Sequence, residues 1–196
     1  MKSLSALASS LRYRNVRQYT PRALTRPALL IDVESAWSGH ELVLGDVIDR
    51  FGVGTAACLE FGVEFGYSTV ALSNFFDRVT GVDTFRGDVH SSVKDDHFDK
   101  TTSDLSAYPN ITLVKSDYES WIKSDVGYYD LIHVDIIHTY RDTFNCGLWS
   151  AMHSDCTLFH DTESFPDVKR AVNDVARKTG RTFYNYPAHY GLGILV

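Results

Sequence analysis

Two stretches of the chain carry residue types whose spacing could do chemistry. The first, Cys58 to Thr69, is an apolar run that ends in Glu60 and continues through Gly62, Gly66 and Ser68. Asp83 closes the next apolar run, Arg78 to Val82. Glycines at such a turn let backbone approach a nucleoside-bearing cofactor, and carboxylates at strand tips can grip its hydroxyls or amine. The spacing is Glu-x-Gly-x-x-x-Gly, not the tighter Gly-x-Gly-x-x-Gly that bares helix amides for a pyrophosphate. This favours S-adenosylmethionine over NAD. Asp83 suits the ribose hydroxyls and Glu60 the methionine ammonium, directly or through water. Ser68 suits both the helix cap and the ligand carboxylate. Asp117 could accept from the adenine amine with Tyr118 against the ring, or equally cap a helix starting at Tyr118.

The second constellation is Tyr129 to Tyr140, containing Asp130, His133, Asp135 and His138, with Phe159-His160-Asp161-Thr162-Glu163 further on. If the strands ending at Asp135 and Asp161 are neighbours, their axes lie about 4.8 Å apart. The two carboxylates could then share a divalent cation, and oxygen donors favour magnesium or manganese over zinc. His138 follows Asp135 by three residues. An ordinary imidazole titrates near ~6.5, so it can take the proton of an alcohol whose oxygen lies beside the cation. Attack on the sulfonium methyl would follow, with positioning supplying most of the acceleration. The plainer alternative makes His138 a helix-start residue and Asp135 its cap. His133 falls on a strand interior and is expected in the core.

These groups need a frame, and the chain supplies one. Strand-like runs at 56–61, 79–82, 111–114, 129–134 and 156–160 alternate with helix-like runs at 68–76, 95–106, 118–123, 140–150 and 167–178. A further helical pattern covers 40–50. Such alternation predicts an α/β, Rossmann-like doubly wound sheet covered on both faces. Thr182–Tyr186 and Gly191–Val196 follow with no helix between them, so they should pair antiparallel near one edge. Seven strands result, mostly parallel with an antiparallel C-terminal strand. Glu60, Asp83, Asp117, Asp135 and Asp161 all fall at or just past the strands' carboxyl ends, where ligands bind in doubly wound sheets.

At 196 residues the chain is long enough for one full core, and its composition is that of a soluble globular protein. No apolar run approaches the roughly 18 residues of a membrane span. Three cysteines without Cys-x-x-Cys spacing read as buried thiols in a reducing, cytoplasmic compartment. Residues 1–31 hold six basic residues and no acid, leaving 13 basic against 25 acidic residues in the body. That acidic body argues against a nucleic-acid substrate. Residues 1–26, with Leu4, Leu7 and Leu11 at helical spacing, read as a basic arm: a lid, a homo-oligomer contact or a mitochondrial transit peptide. Residues 27–196 form the remaining domain.

On these motifs the chain resembles the class I S-adenosylmethionine-dependent methyltransferases over roughly residues 50–196. It looks in particular like the small-molecule and sugar O-methyltransferase branch, including magnesium-dependent macrolide-sugar enzymes. The matching residues are Glu60 to Ser68, Val82 to His90, Asp130 to Tyr140, Leu158 to Thr162 and His189 to Leu195. The resemblance implies a sugar, glycan or small natural product as acceptor and cofactor contacts from Glu60, Gly62, Asp83 and Asp117. It implies a Mg2+ ion at Asp135 and Asp161, with His138 as base. Catechol-type relatives place asparagine after the second aspartate, whereas Thr162 stands here, leaving Glu163 or water as third ligand. Ile136-Ile137 replaces the glycine that often follows the first aspartate. Asp88 and His90 face either the acceptor or solvent. A non-catalytic binding or assembly protein and, more weakly, a nicotinamide oxidoreductase are the competing functional classes.

Overall fold

The computed structural model describes residues 13–87 and 94–196. Eight strands form one sheet: β1 (Arg17–Gln18), β2 (Ala57–Phe61), β3 (Arg78–Asp83), β4 (Ile111–Lys115), β5 (Tyr129–Val134), β6 (Ser154–His160), β7 (Phe183–Tyr186) and β8 (Leu192–Leu195). Their spatial order is β1-β7-β8-β6-β5-β2-β3-β4. Only β8 runs against its neighbours, pairing antiparallel with both β6 and β7. The eighth strand is the departure from the seven expected. It comes from the basic N-terminal stretch, where Arg17 and Gln18 pair parallel with Tyr184 and Asn185. Tyr19 then enters the core and its hydroxyl bonds Asp46. Leu4, Leu7 and Leu11, and likewise Asp88 and His90, lie outside the described residues.

Helices fill the intervals: α1 (Leu44–Phe51), α2 (Tyr67–Ser73), α3 (Phe98–Asp104), α4 (Tyr118–Ser124), α5 (Tyr140–Met152) and α6 (Pro166–Thr179). Side-chain chemistry sets several ends. Asp117 accepts from the Ser120 amide at the start of α4, and Thr139 from the Asp142 amide at the start of α5. Pro166 opens α6, and Gly180 closes it in the left-handed region. Residues 40–43 form turns rather than the first turn of α1, so that helix is shorter than its apolar pattern. The helix expected over 95–106 divides into α3 and a 3₁₀ turn, Leu105–Ala107.

Strand alternation sorts the core into two layers. Cys58, Leu131, Cys156 and Leu158 face the layer built on α1 and Trp37. Leu59, Phe61, Ile132, Val134 and Phe159 face α5 and α6. Cys58, Cys146 and Cys156 are buried free thiols. Among the described residues, no helix is long and apolar enough to cross a membrane.

The register is what matters for function. Phe61 pairs with Val82 on one side and Val134 on the other, and Val134 pairs with Phe159. The next residue on each strand line is Gly62, Asp83, Asp135 and His160, all at one edge. After β2 the chain winds outward through β3 and β4, then crosses back to β5 and β6. The reversal of strand order therefore falls between β2 and β5, the crevice where doubly wound sheets bind ligands.

Candidate active site

A cavity of about 750 Å³ opens at this edge. Gly62, Glu64, Ser68, Asp83, His97, Asp117 and Tyr118 line one part, and Asp135, His138, His160, Asp161, Phe165 and Tyr190 another. Its size falls within the range of small-molecule sites.

The glycine turn is shaped by the crossing strand end. At φ 89° and with its amide bonded to the Val82 carbonyl, Gly62 leaves no room for a side chain. An added Cβ would lie 1.7 Å from the Asp135 carbonyl oxygen. Gly66, at φ 87°, precedes α2, where a Cβ would meet the Leu105 side chain at 2.8 Å. Ser68 lines the cavity, but it sits inside the first turn of α2 and does not cap it, since Gly66 holds the cap position.

Asp83 works on the backbone first. One carboxylate oxygen accepts from the amides of Val63 and Glu64 at 2.7 and 2.9 Å, and the other from the Phe85 amide at 2.7 Å. These bonds fasten the glycine turn to the tip of β3. Asp117 lines the cavity and also caps α4, so both roles weighed for it coexist structurally. The Ser120 amide and hydroxyl keep its carboxyl below the usual range. The Tyr118 hydroxyl donates to Asp142 at 2.7 Å, and burial followed by that carboxylate pushes its pKa upward.

Glu60 is where the expectation fails. By strand alternation it points with Cys58 into the α1 layer, where it is fully buried and does not line the cavity. Register sets it opposite His133. His133 Nδ1 lies 2.9 Å from its carboxylate, and the Thr69 hydroxyl donates to it. The Trp37 indole donates to His133 Nε2 at 3.0 Å, so the imidazole proton sits on Nδ1. Glu60 thus serves a buried Trp37–His133–Glu60–Thr69 network, and His133 is the core histidine expected.

Asp135, His138 and Asp161 converge, with one ligand atom from each within 4.8 Å of the others. His138 Nε2 is 2.9 Å from Asp161 and 3.6 Å from Asp135. His160 Nδ1 lies 3.1 Å from Asp135 and 3.3 Å from Asp161. Burial opposes charge on both imidazoles, but the two carboxylates outweigh it and raise His138 to about 9 and His160 to about 10. Burial likewise opposes charge on the acids, and the histidines outweigh it. Asp161 falls to about 2, and Asp135 also lies well below its ordinary value. Glu163 does not join them. Its carboxylate accepts from Asn185 at 2.7 Å and pairs with Lys169, while Thr162 is buried against Asn185. The chain turns sharply at Asp161, φ 63°, which carries the following residues towards β7.

Two carboxylates and an imidazole suit a hard or borderline divalent cation. Sequence reasoning missed Trp37, His97, Phe165 and Tyr190 as cavity residues, because long-range packing brings them there. Only His160 had a local signal, its position beside Asp161.

The sheet order and the edge cavity define a class I methyltransferase fold. A family model described as a methyltransferase domain matches residues 59–162, and the chain belongs to that family of S-adenosylmethionine-dependent methyltransferases. Among solved structures, it resembles CalS10, an amino pentose methyltransferase from Micromonospora echinaspora involved in calicheamicin biosynthesis. That likeness has a TM-score of 0.61 at 9% identity, over 83% of this chain and 91% of the other. The O-methyltransferase from Bacillus cereus, solved with S-adenosylhomocysteine, matches with TM-score 0.58 at 14% identity, over 84% and 82%. The N-methyltransferase NodS from Bradyrhizobium japonicum matches with 0.53 at 11%, over 81% and 96%. Comparison with curated protein sequences finds no significant match.

Proposed function

We propose that this protein transfers the methyl group of S-adenosylmethionine to a hydroxyl of a sugar or small natural product. One observation carries the reading: the Asp135–His138–Asp161 cluster opens into the same cavity as the glycine turn and Asp83. The donor's sulfonium and an acceptor oxygen can therefore meet in one chamber. Asp135 and Asp161 would hold a Mg2+ ion, which when bound supplies positive charge beside the acceptor oxygen. That charge offsets the carboxylates that otherwise keep the proton on His138, leaving its Nε2 to accept the hydroxyl proton. The chain's further contribution is to orient the oxygen in line with the methyl and to exclude water.

The lining also bears on the acceptor. Among the described residues it has five carboxylates and no lysine or arginine. An anionic substituent such as a phosphate would lack the lysine and arginine partners that usually recognise it. We infer a neutral or cationic acceptor, and the same charge pattern speaks against nucleic acid.

Calorimetry with S-adenosylhomocysteine, followed by methyl transfer from S-adenosylmethionine to a panel of glycosides, amino sugars and phenols, tests this reading. Micromolar binding and Mg2+-dependent transfer that a chelator stops are expected. Donor binding without transfer to any acceptor, insensitive to His138→Ala, would instead favour a non-catalytic binding protein. Activity unaffected by chelation would remove the cation alone.

A further inference from the structure

The residue just before α3, His97, is buried at 7% exposure, with its ring packed 5.0 Å from Phe65 and 5.8 Å from Phe85 between centroids. It lines the cavity. Its amide donates to the Phe85 carbonyl at 3.0 Å, and the Phe85 amide donates to Asp83 at 2.7 Å. His97 is therefore tied to the tip of β3 through two successive hydrogen bonds.

The hydrogen bonding also fixes what the ring can offer. Nδ1 lies 3.1 Å from the Asp95 carbonyl oxygen. A carbonyl only accepts, so Nδ1 carries the proton and Nε2 of the neutral ring presents a lone pair. Nε2 is buried and has no hydrogen-bond partner among the described residues. Folds rarely leave such an acceptor unsatisfied, and in a residue that lines a ligand cavity the missing partner is naturally a ligand group.

That group must bring an O–H or N–H. Asp83, the acid at the same strand tip, already accepts three backbone amides, so it has little capacity left for two further hydroxyls. A ribose presents two neighbouring hydroxyls that both need acceptors. We propose that His97 Nε2 accepts a hydrogen bond from one ribose hydroxyl of the methyl donor, so that Asp83 and His97 divide the diol between them. The proposal rests on the S-adenosylmethionine reading given above.

The test compares wild type with His97→Phe, which keeps a ring between Phe65 and Phe85 and deletes the lone pair. Four calorimetric probes are used: S-adenosylhomocysteine, its 2′-deoxy and 3′-deoxy forms, and S-inosylhomocysteine, which lacks the adenine amine. The variant should bind S-adenosylhomocysteine about 5- to 10-fold more weakly, the worth of one neutral hydrogen bond. Without ligand its melting temperature should change little, because loss of the Nδ1 bond to the Asp95 carbonyl is offset by removal of a buried unsatisfied acceptor. The affinity gap should close with one deoxy form and persist with the inosyl form. Equal affinity of the two proteins, or a gap that closes only with the inosyl form, overturns the proposal. If His97→Phe does not fold, ¹⁵N spectra of labelled wild-type histidine decide, since an upfield shift of the Nε2 resonance is expected on adding S-adenosylhomocysteine. An unmoved resonance overturns it. Wild type that fails to bind S-adenosylhomocysteine at all removes the donor reading and this proposal together, an outcome distinct from the others.

Discussion

The Phe165 ring lies flat against that of His138, with centroids 4.1 Å apart and planes 9° from parallel. Phe165 immediately precedes α6 and His138 lies just ahead of α5, so the packing of two helices sets the imidazole plane. Replacing Phe165 by alanine removes that stacking support while leaving the glycine turn untouched. We expect kcat to fall about 10- to 100-fold, the scale of a small misplacement at a reacting centre. Affinity for S-adenosylhomocysteine should stay within about 2-fold, as for independent sites. A parallel loss of both would show that Phe165 supports the whole cavity instead.

Gly62→Ala should be far more damaging than its one methyl suggests. The positive φ disfavours any side chain there, and the new Cβ would press into the Asp135 carbonyl. Left-handed strain and overpacking together predict a loss of about 2–4 kcal/mol in urea denaturation. Because Asp135 is the atom group that must move, metal and donor binding should both fail in whatever folded protein remains. Near-normal donor binding by this variant would mean that β5 can yield without consequence.

Glu60→Gln separates a structural from a ligand-binding role. The substitution removes the charge that His133 Nδ1 and the Thr69 hydroxyl address inside the core. Loss of charge-assisted bonds predicts a stability decrease of about 1–3 kcal/mol. Donor affinity should change by less than about 3-fold, since the side chain is outside the cavity. A drop in affinity of two orders of magnitude would return the methionine ammonium to Glu60.

The contrast between Glu60 and Asp83 shows what was legible in the sequence. The alternation of apolar runs and helical patterns is local and strong, so the parallel sheet and its antiparallel ending could be read directly. The convergence of Asp135, His138 and Asp161 was readable too, because each follows a strand and neighbouring strands end at one edge. Glu60 has the same outward signature, but a period-2 count turns it into the sheet, opposite His133, and this only register reveals. Glu163, offered beside water as the third ligand, lies outside the cluster because the backbone turns at Asp161, a residue type that tolerates the left-handed region without announcing it. β1 has only two residues, and its pairing with β7 spans most of the chain, so no local pattern betrays it. His97, Phe165 and Tyr190 come from three separate connections, which is why packing alone assigns them to the cavity.

The paired histidines and aspartates also set how stability should respond to pH when no cation is bound. His138 and His160 are raised above their unfolded value near ~6.5, so what they contribute is fully present below that pH. It is lost as pH rises through about 9 and about 10. Asp161 is depressed, so its contribution is present above its unfolded value near ~3.9 and lost as pH falls through about 2; Asp135 acts in the same direction. Because the four groups share contacts, they should titrate as a set rather than as independent sites. With chelator present, the urea midpoint should therefore hold steady from roughly pH 4 to 6.5 and decline towards pH 10. Replacing His138 and His160 by glutamine should flatten that decline. A cation competes with the protonated imidazoles of His138 and His160 for the same carboxylates, so Mg2+ should stabilise the protein more at pH 8.5 than at pH 6. A midpoint that rises with pH in the chelated protein would mean that the imidazoles are neutral in the fold, and the charge arrangement argued for this cluster would have to be abandoned.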